Sequence, residues 1–250
     1  MYDKATTKQG GEDDMENNIF QRWELKYLVD SRQRSMLEQS IERHMRPDPH
    51  GESCICNVYY DTPDYRLIRQ SLDKPIYKEK LRLRSYGRVR PHNEVFLELK
   101  KKYQGVVYKR RISLSDWEAE LYMAGRLPLL EDTQIGREID YFKRFYGNLQ
   151  PAVYLCYDRC AYFSTEDPDL RATFDRRIRW RQEDMSLTAR PGGQHLLQPY
   201  QSLFEIKTAS SIPLWLVEVL EAGEIRQASF SKYGEAYKMI ISERSGVSCA

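Results

Sequence analysis

Charge recurs at every second position along the strand-like segments of this chain, and no other feature restricts its fold so tightly. Strand residues two apart share a face. Glu24 and Lys26 share one, as do Lys78, Lys80, Arg82 and Arg84; Glu98 goes with Lys100, Lys109 with Arg111, Arg171 with Asp175 across Thr173, and Glu205 with Lys207. The intervening positions are apolar: Trp23, Leu25 and Tyr27; Leu81 and Leu83; Leu97 and Leu99; Phe204 and Ile206. Those apolar faces need cover, and the charged faces must point elsewhere. Two arrangements satisfy this: an open sheet with its charged face in solvent, or a closed barrel with charge inside and helices outside. Repetition of the pattern from strand to strand favours the barrel, because about eight strands suffice to close one and closure removes exposed edges.

The cover is legible too. Ser31 is expected to cap a helix running to about Met45, with Met36, Leu37, Ile41 and Met45 along one side. A short helix is expected over Tyr65–Ser71 after the turn Asp61-Thr62-Pro63-Asp64. Ser115 and Glu118 form a capping box, and residues 132–147 place Ile135, Ile139, Phe142 and Tyr146 on one face. Pro213 opens a helix, and Ser231 is expected to cap another. Strands are expected at Phe20–Val29, Cys54–Tyr60, Ile76–Tyr86, Glu94–Tyr103, Val106–Leu114, Ala152–Tyr162, Leu170–Trp180 and Ser202–Thr208, with a hairpin turn at Gln104-Gly105. The expected fold is therefore α+β: a closed antiparallel barrel, tunnel-shaped, with helices packed outside. Residues 1–18, polar and rich in Gly and acid, read as a disordered tail before a single domain over 19–245.

Among the inward charges Lys and Arg outnumber Asp and Glu. Enclosing uncompensated charge costs several kcal/mol, so such an interior suits an anion with many oxygens. Phosphate fits, since Arg grips it as a fork and Lys as a point charge. The minority Glu residues suit a divalent cation bridging phosphates. The whole chain carries a net charge of only +2 and a pI near 8.2, below the level of about 9 expected of a nucleic-acid binder. The five cysteines and four histidines show no metal-finger or triad spacing, and the thiols read as buried groups of a reducing compartment. No apolar run approaches the ~20 residues of a membrane span, and no secretory leader is visible, so a cytoplasmic location is expected.

The same residues give the chain a family likeness. R-W-E-L-K-Y (22–27), N-V-Y-Y-D-T-P (57–63), K-L-R-L-R-S-Y-G (80–87), F-L-E-L-K (96–100), Y-K-R-R-I (108–112), Y-D-R (157–159), R-A-T-F-D (171–175), F-E-I-K (204–207) and F-S-K-Y (230–233) follow in order along the sequence. Together they resemble the VTC-type polyphosphate polymerase domain of the triphosphate tunnel metalloenzyme (CYTH-like) superfamily, in its stand-alone, bacterial style. The resemblance implies transfer of the terminal phosphate of ATP to a growing inorganic polyphosphate chain, with Mn²⁺ or Mg²⁺. Lys26, Arg82, Arg84, Lys100, Arg171 and Lys232 would act on the phosphates. Lys80, Lys109, Arg111, Tyr157, Arg159, Lys207 and Ser231 would bind substrate. The residues alone do not rank Glu205, Glu98 and Glu24 as metal ligands; the resemblance favours Glu205. Ser229 stands where eukaryotic relatives have a basic residue, which bears on chain handling more than on nucleotide binding. A triphosphatase with the same tunnel and a non-catalytic polyphosphate or nucleotide sensor are the competing readings.

Overall fold

The computed structural model describes residues 23–90, 93–104, 106–129 and 132–246. The expected tail at 1–18, the head of the first strand at Phe20–Arg22, His92, Gly105 and Cys249 lie outside the described residues. Ten strands form one antiparallel sheet: β1 (Trp23–Val29), β2 (Met45–Pro47), β3 (Ser53–Asp61), β4 (Tyr77–Tyr86), β5 (Glu94–Tyr103), β6 (Val106–Ser115), β7 (Gln150–Ser164), β8 (Arg171–Arg181), β9 (Gln194–His195) and β10 (Ser202–Thr208). The helices are α1 (Ser31–His44), α2 (Arg66–Leu72), α3 (Asp116–Met123), α4 (Gln134–Tyr146), α5 (Leu214–Ala222) and α6 (Lys232–Arg244).

The expected closed barrel does not form. The sheet runs β1-β10-β8-β7-β3-β4-β5-β6, with β2 and β9 as short additions on β7 and β8. β1 and β6 end the path and do not pair with each other. One cause is visible at β1. Its outer edge is already engaged: the Ala228 amide donates to the Lys26 carbonyl at 2.7 Å, and Tyr27 bridges to Gln227. A strand whose second edge is taken cannot complete a ring of hydrogen bonds. Like charges projecting from the two halves would also oppose closure.

The alternation itself is as the sequence requires. Leu81, Leu83, Leu97, Leu99, Phe204 and Ile206 are buried on the helix-covered face. Three apolar clusters fill that layer. One lies under α3 and α4 and includes Leu97 and Phe142. A second lies under α2 and α6 and includes Ile68 and Ile240. A third lies under α1 and α5 and includes Ile41 and Leu216. Trp23, expected on this face, is instead 59% exposed at the start of β1.

Helix ends follow local chemistry, with shifts at the starts of α1 and α2. Asp30, not Ser31, caps α1, accepting from the Gln33 amide at 2.8 Å while the Gln33 side chain accepts from the Asp30 amide. This is a reciprocal capping box. Ser115 and Ser231 cap α3 and α6 as expected. α2 starts at Arg66, one residue later than expected, because Tyr65 adopts the left-handed region at φ 59°. The buried Asp61 carboxylate serves this helix start, accepting from the Leu67 and Ile68 amides.

Candidate functional site

Antiparallel register decides which charges meet. Arg82 sits opposite Glu98, and Glu98 opposite Arg111. Lys26 sits opposite Glu205, and Arg159 opposite Asp175. Each carboxylate thus has a cation directly across the ladder, at the separation where opposite charges attract. The charged faces of β1, β4, β5, β7 and β10 converge with the start of α6 on one cleft of about 200 Å³. Glu24, Lys26, Lys80, Arg82, Arg84, Lys100, Tyr157, Arg159, Glu205, Lys207, Ser231 and Lys232 all line it.

One half of the cleft is organised by Glu98, which is fully buried. Arg82 donates to its Oε2 through Nε and Nη2, and Arg82 Nη1 donates to the Tyr59 hydroxyl at 2.9 Å. Lys109 Nζ lies 3.3 Å from Glu98 Oε1, and Arg111 binds the same oxygen. Burial alone would raise the Glu98 carboxyl, yet Arg82, Arg84 and Lys109 hold it far below the usual range. Arg84 is fixed by the Asn57 side-chain oxygen and the Tyr157 hydroxyl, both at 3.0 Å.

The other half is organised by Asp175 and Glu205. Arg159 forms a bidentate pair with Asp175 at 2.6 Å per bond and reaches Glu205 Oε2 at 3.3 Å. Lys232 Nζ bridges both carboxylates, lying 3.1 Å from Glu205, and sits 4.7 Å from the Tyr157 ring centroid. Lys26 Nζ is 3.3 Å from Glu24 and 3.6 Å from Glu205, and donates to the Phe230 carbonyl. Burial works against charge on Glu24, but Lys26, Lys207 and Lys100 hold it down to about 2.

Against these paired groups stand cations that, among the described residues, have no carboxylate within 4.0 Å. Lys80 Nζ donates only to the Ser231 hydroxyl at 2.9 Å. Among the described residues Lys100 and Lys207 make no ion pair within 4.0 Å. Burial, and then Lys26, Lys78 and Arg82, push the Lys80 ammonium down to about 7. Arg82 and then burial push Lys100 well below the ordinary lysine value. An ammonium that its surroundings disfavour is the counterpart an incoming polyanion would satisfy.

Arg171 is not in this cleft. It lies with Lys207 and Thr173 around a second cavity of about 600 Å³, which shares Arg84, Arg159 and Lys207 with the first. These three side chains therefore stand between the two cavities. Lys109 and Arg111 are also set back, acting on Glu98 from the β6 side. Asp175, Asn57 and Tyr59 were not anticipated as site residues. Asp175 shared a strand face with Arg171 in the sequence, which was the available signal; the roles of Asn57 and Tyr59 follow only from register against Arg84 and Arg82. None of the described histidines lines the first cleft: His44 stacks on Trp215 with centroids 4.5 Å apart, His195 is exposed in β9, and His50 edges the second cavity.

Among the described residues no cluster of three His, Cys, Asp or Glu side chains is placed to hold a metal by itself. A cation that bridges phosphates needs only one or two carboxylates, with substrate oxygens completing its shell. Glu205 and Glu24 line the cleft, Glu205 with its oxygens already on Lys232, Lys26 and Arg159; Glu98, beneath Arg82, Lys109 and Arg111, does not line it.

A family model described as VTC domain matches residues 21–241. The fold is similar to the crystal structure of a "putative adenylate cyclase" from Bacillus halodurans, with TM-score 0.54, 17% identity, and coverage of 86% of this chain and 94% of that one. A "putative adenylate cyclase" from Vibrio parahaemolyticus aligns over 90% of this chain and 99% of that one, with TM-score 0.46 and 13% identity. At these identities the first likeness is one of fold alone. No curated protein matches the chain. No helix among the described residues is long and apolar enough to cross a membrane.

Proposed function

The chain belongs to the VTC domain family, and from that premise we propose that it is an ATP-dependent polyphosphate polymerase. The terminal oxygen of an inorganic polyphosphate chain attacks the γ-phosphorus of ATP. The bond between that phosphorus and the β,γ-bridging oxygen breaks, and ADP leaves. Such a transfer needs alignment and charge stabilisation rather than a protein nucleophile. Arg82 and Arg84, locked by Glu98, Asn57 and Tyr157, supply fixed guanidinium forks. Lys26 and Lys232 supply point charges held by Glu205 and, for Lys232, Asp175. Lys80, Lys100 and Lys207 supply charge that no carboxylate pairs with directly. A divalent cation, Mn²⁺ or Mg²⁺, held by Glu205 with Glu24, would neutralise phosphate oxygens. Glu98 in this reading is a counter-ion for Arg82, Lys109 and Arg111, not a metal ligand. Arg171 would act in the second cavity, beyond the waist of Arg84, Arg159 and Lys207.

The observation that carries this reading is the set of unpaired lysines facing one cleft. Two cavities meeting at basic residues further favour an anion longer than a triphosphate, and so favour polymerisation over hydrolysis. Incubation with ATP and Mn²⁺, followed by electrophoresis of the products, tests it. Long polyphosphate together with ADP is expected. Orthophosphate as the sole phosphate product would make the protein a triphosphatase, and tight polyphosphate binding without turnover would make it a sensor. Since recognition rests on phosphates, GTP should replace ATP with rates of the same order.

A further inference from the structure

On the helix-covered face of the sheet, behind the basic cleft, lies another cavity, of about 470 Å³. That volume is in the range of small-ligand sites, which are mostly apolar with a few convergent polar groups. Its wall is aromatic. Tyr141 and Phe145 of α4 stack with centroids 6.2 Å apart, and Phe145 meets Tyr146 edge-on at 4.9 Å. Tyr141 and Phe145 are nonetheless 63% and 57% exposed.

We propose that this cavity binds a small organic ammonium ion through the aromatic faces of α4 and the carboxylate of Glu79. The face of an aromatic ring carries negative potential and attracts cations within about 6 Å of its centre. This wall already does so within the chain: the Arg66 guanidinium lies 5.8 Å from the Phe145 centroid and 5.4 Å from that of Tyr146. Glu79 lines the same space. It accepts hydrogen bonds from the hydroxyls of Tyr77 and Tyr146, which fix its orientation. Among the described residues it forms no ion pair. Asp73 faces the cavity as well, whereas Glu138 is neutralised by Lys101 and Arg110 at 3.3 and 3.2 Å. The acids of the lining, Asp73, Glu79 and Glu138, outnumber its cations, Arg66 and Lys101, by one; Arg66 already covers Phe145 and Tyr146 from one side, and the exposed surface of Tyr141 and Phe145 rewards a cation with an apolar skin. The basic cleft selects the opposite charge, so the two sites would take different ligands.

Choline is a suitable probe, with its uncharged isostere 3,3-dimethylbutan-1-ol as control. Titration of choline with the whole protein, followed by proton NMR, should move its N-methyl resonance upfield by ring currents in a saturable way. Glu79→Gln should weaken binding about tenfold, and the double variant Tyr141→Ala/Phe145→Ala, which removes only exposed rings, should abolish the shift while the circular dichroism spectrum is retained. Tripolyphosphate should not displace choline. The proposal is overturned by an absent or unsaturable shift, by equal binding of the isostere, by wild-type affinity in either variant, or by displacement with tripolyphosphate. None of these outcomes bears on polymerase activity, which is read separately.

Discussion

Arg82 places two of its nitrogens, Nε and Nη2, on a single oxygen of Glu98, at 2.8 and 2.7 Å. Both side chains are buried, and they stand opposite one another on neighbouring strands. The pair fixes the guanidinium while leaving Nη1 on the Tyr59 hydroxyl. Replacing Glu98 by Ala would leave Arg82, Arg84 and Arg111 facing one another without an anion. Breaking a buried pair in this way costs about 3–5 kcal/mol. Urea denaturation should report a loss of that order for Glu98→Ala; a change within ordinary surface-mutant scatter would show that the pair contributes little to the fold.

Glu205 has a different task, and its removal should read out differently. Glu205→Gln keeps the size of the side chain and loses the charge that would face a metal. Turnover with ATP and Mn²⁺ should fall by about a hundredfold or more, while tripolyphosphate affinity without metal should stay the same or rise, because a carboxylate has left a basic cleft. Unchanged turnover would remove Glu205 from the metal's shell.

Arg84 reaches the Tyr157 hydroxyl and the Asn57 oxygen from one guanidinium, a geometry a lysine cannot copy. Arg84→Lys should therefore lose most of what Arg84→Ala loses, about 10²-fold in kcat. Retention of near-normal kcat in the lysine variant would mean that only net charge matters there.

Proton uptake should accompany phosphate binding. Burial and then neighbouring cations push the Lys80 ammonium down to about 7, and Lys100 is lowered in the same sense. Phosphate oxygens favour the ammonium form, so above about pH 7 binding must draw in protons. Tripolyphosphate affinity should consequently fall as pH rises from 7 towards the ordinary lysine value, by up to about tenfold per pH unit from Lys80. Calorimetry at pH 8 in buffers of different ionisation enthalpy counts the protons; Lys80→Met should lower the count, and a count of zero in the unmodified protein would refute the linkage.

Gly193 tests the loop that leads into β9. Its φ of +129° is one that L side chains rarely adopt, and a Cβ there would stand 2.2 Å from the Trp180 carbonyl oxygen. Gly193→Ala should cost about 1–3 kcal/mol or more in urea, whereas Gly192→Ala, whose nearest neighbour would be 3.9 Å away, should be close to neutral.

Period-two patterning let the sequence reveal the paired charges of β1, β4, β5 and β10 and the apolar face behind them, because face membership depends only on spacing along one strand. Caps at Ser115 and Ser231 were legible for a similar reason: a capping side chain acts within four residues. Closure was not legible. It depends on what meets the outer edge of β1, and that is a segment around Gln227 and Ala228, some two hundred residues away in sequence. The same limit explains Arg171, which shares a face with Asp175 but lies far enough along β8 to open into a different cavity. It explains Asn57 and Tyr59 as well, since their importance comes from standing beside Arg84 and Arg82 in the neighbouring strand.

Because β1 and β6 carry no ladder between them, the charged groove is a gutter and not a ring. A ring admits a polymer only by threading an end, and once threaded the polymer is topologically retained. A gutter accepts a long anion laid in sideways and lets it lift out again. Grip on such an anion would then come from electrostatics, the lysines and arginines together with any cation on Glu205 and Glu24, and added salt, which screens them, should loosen it along its whole length.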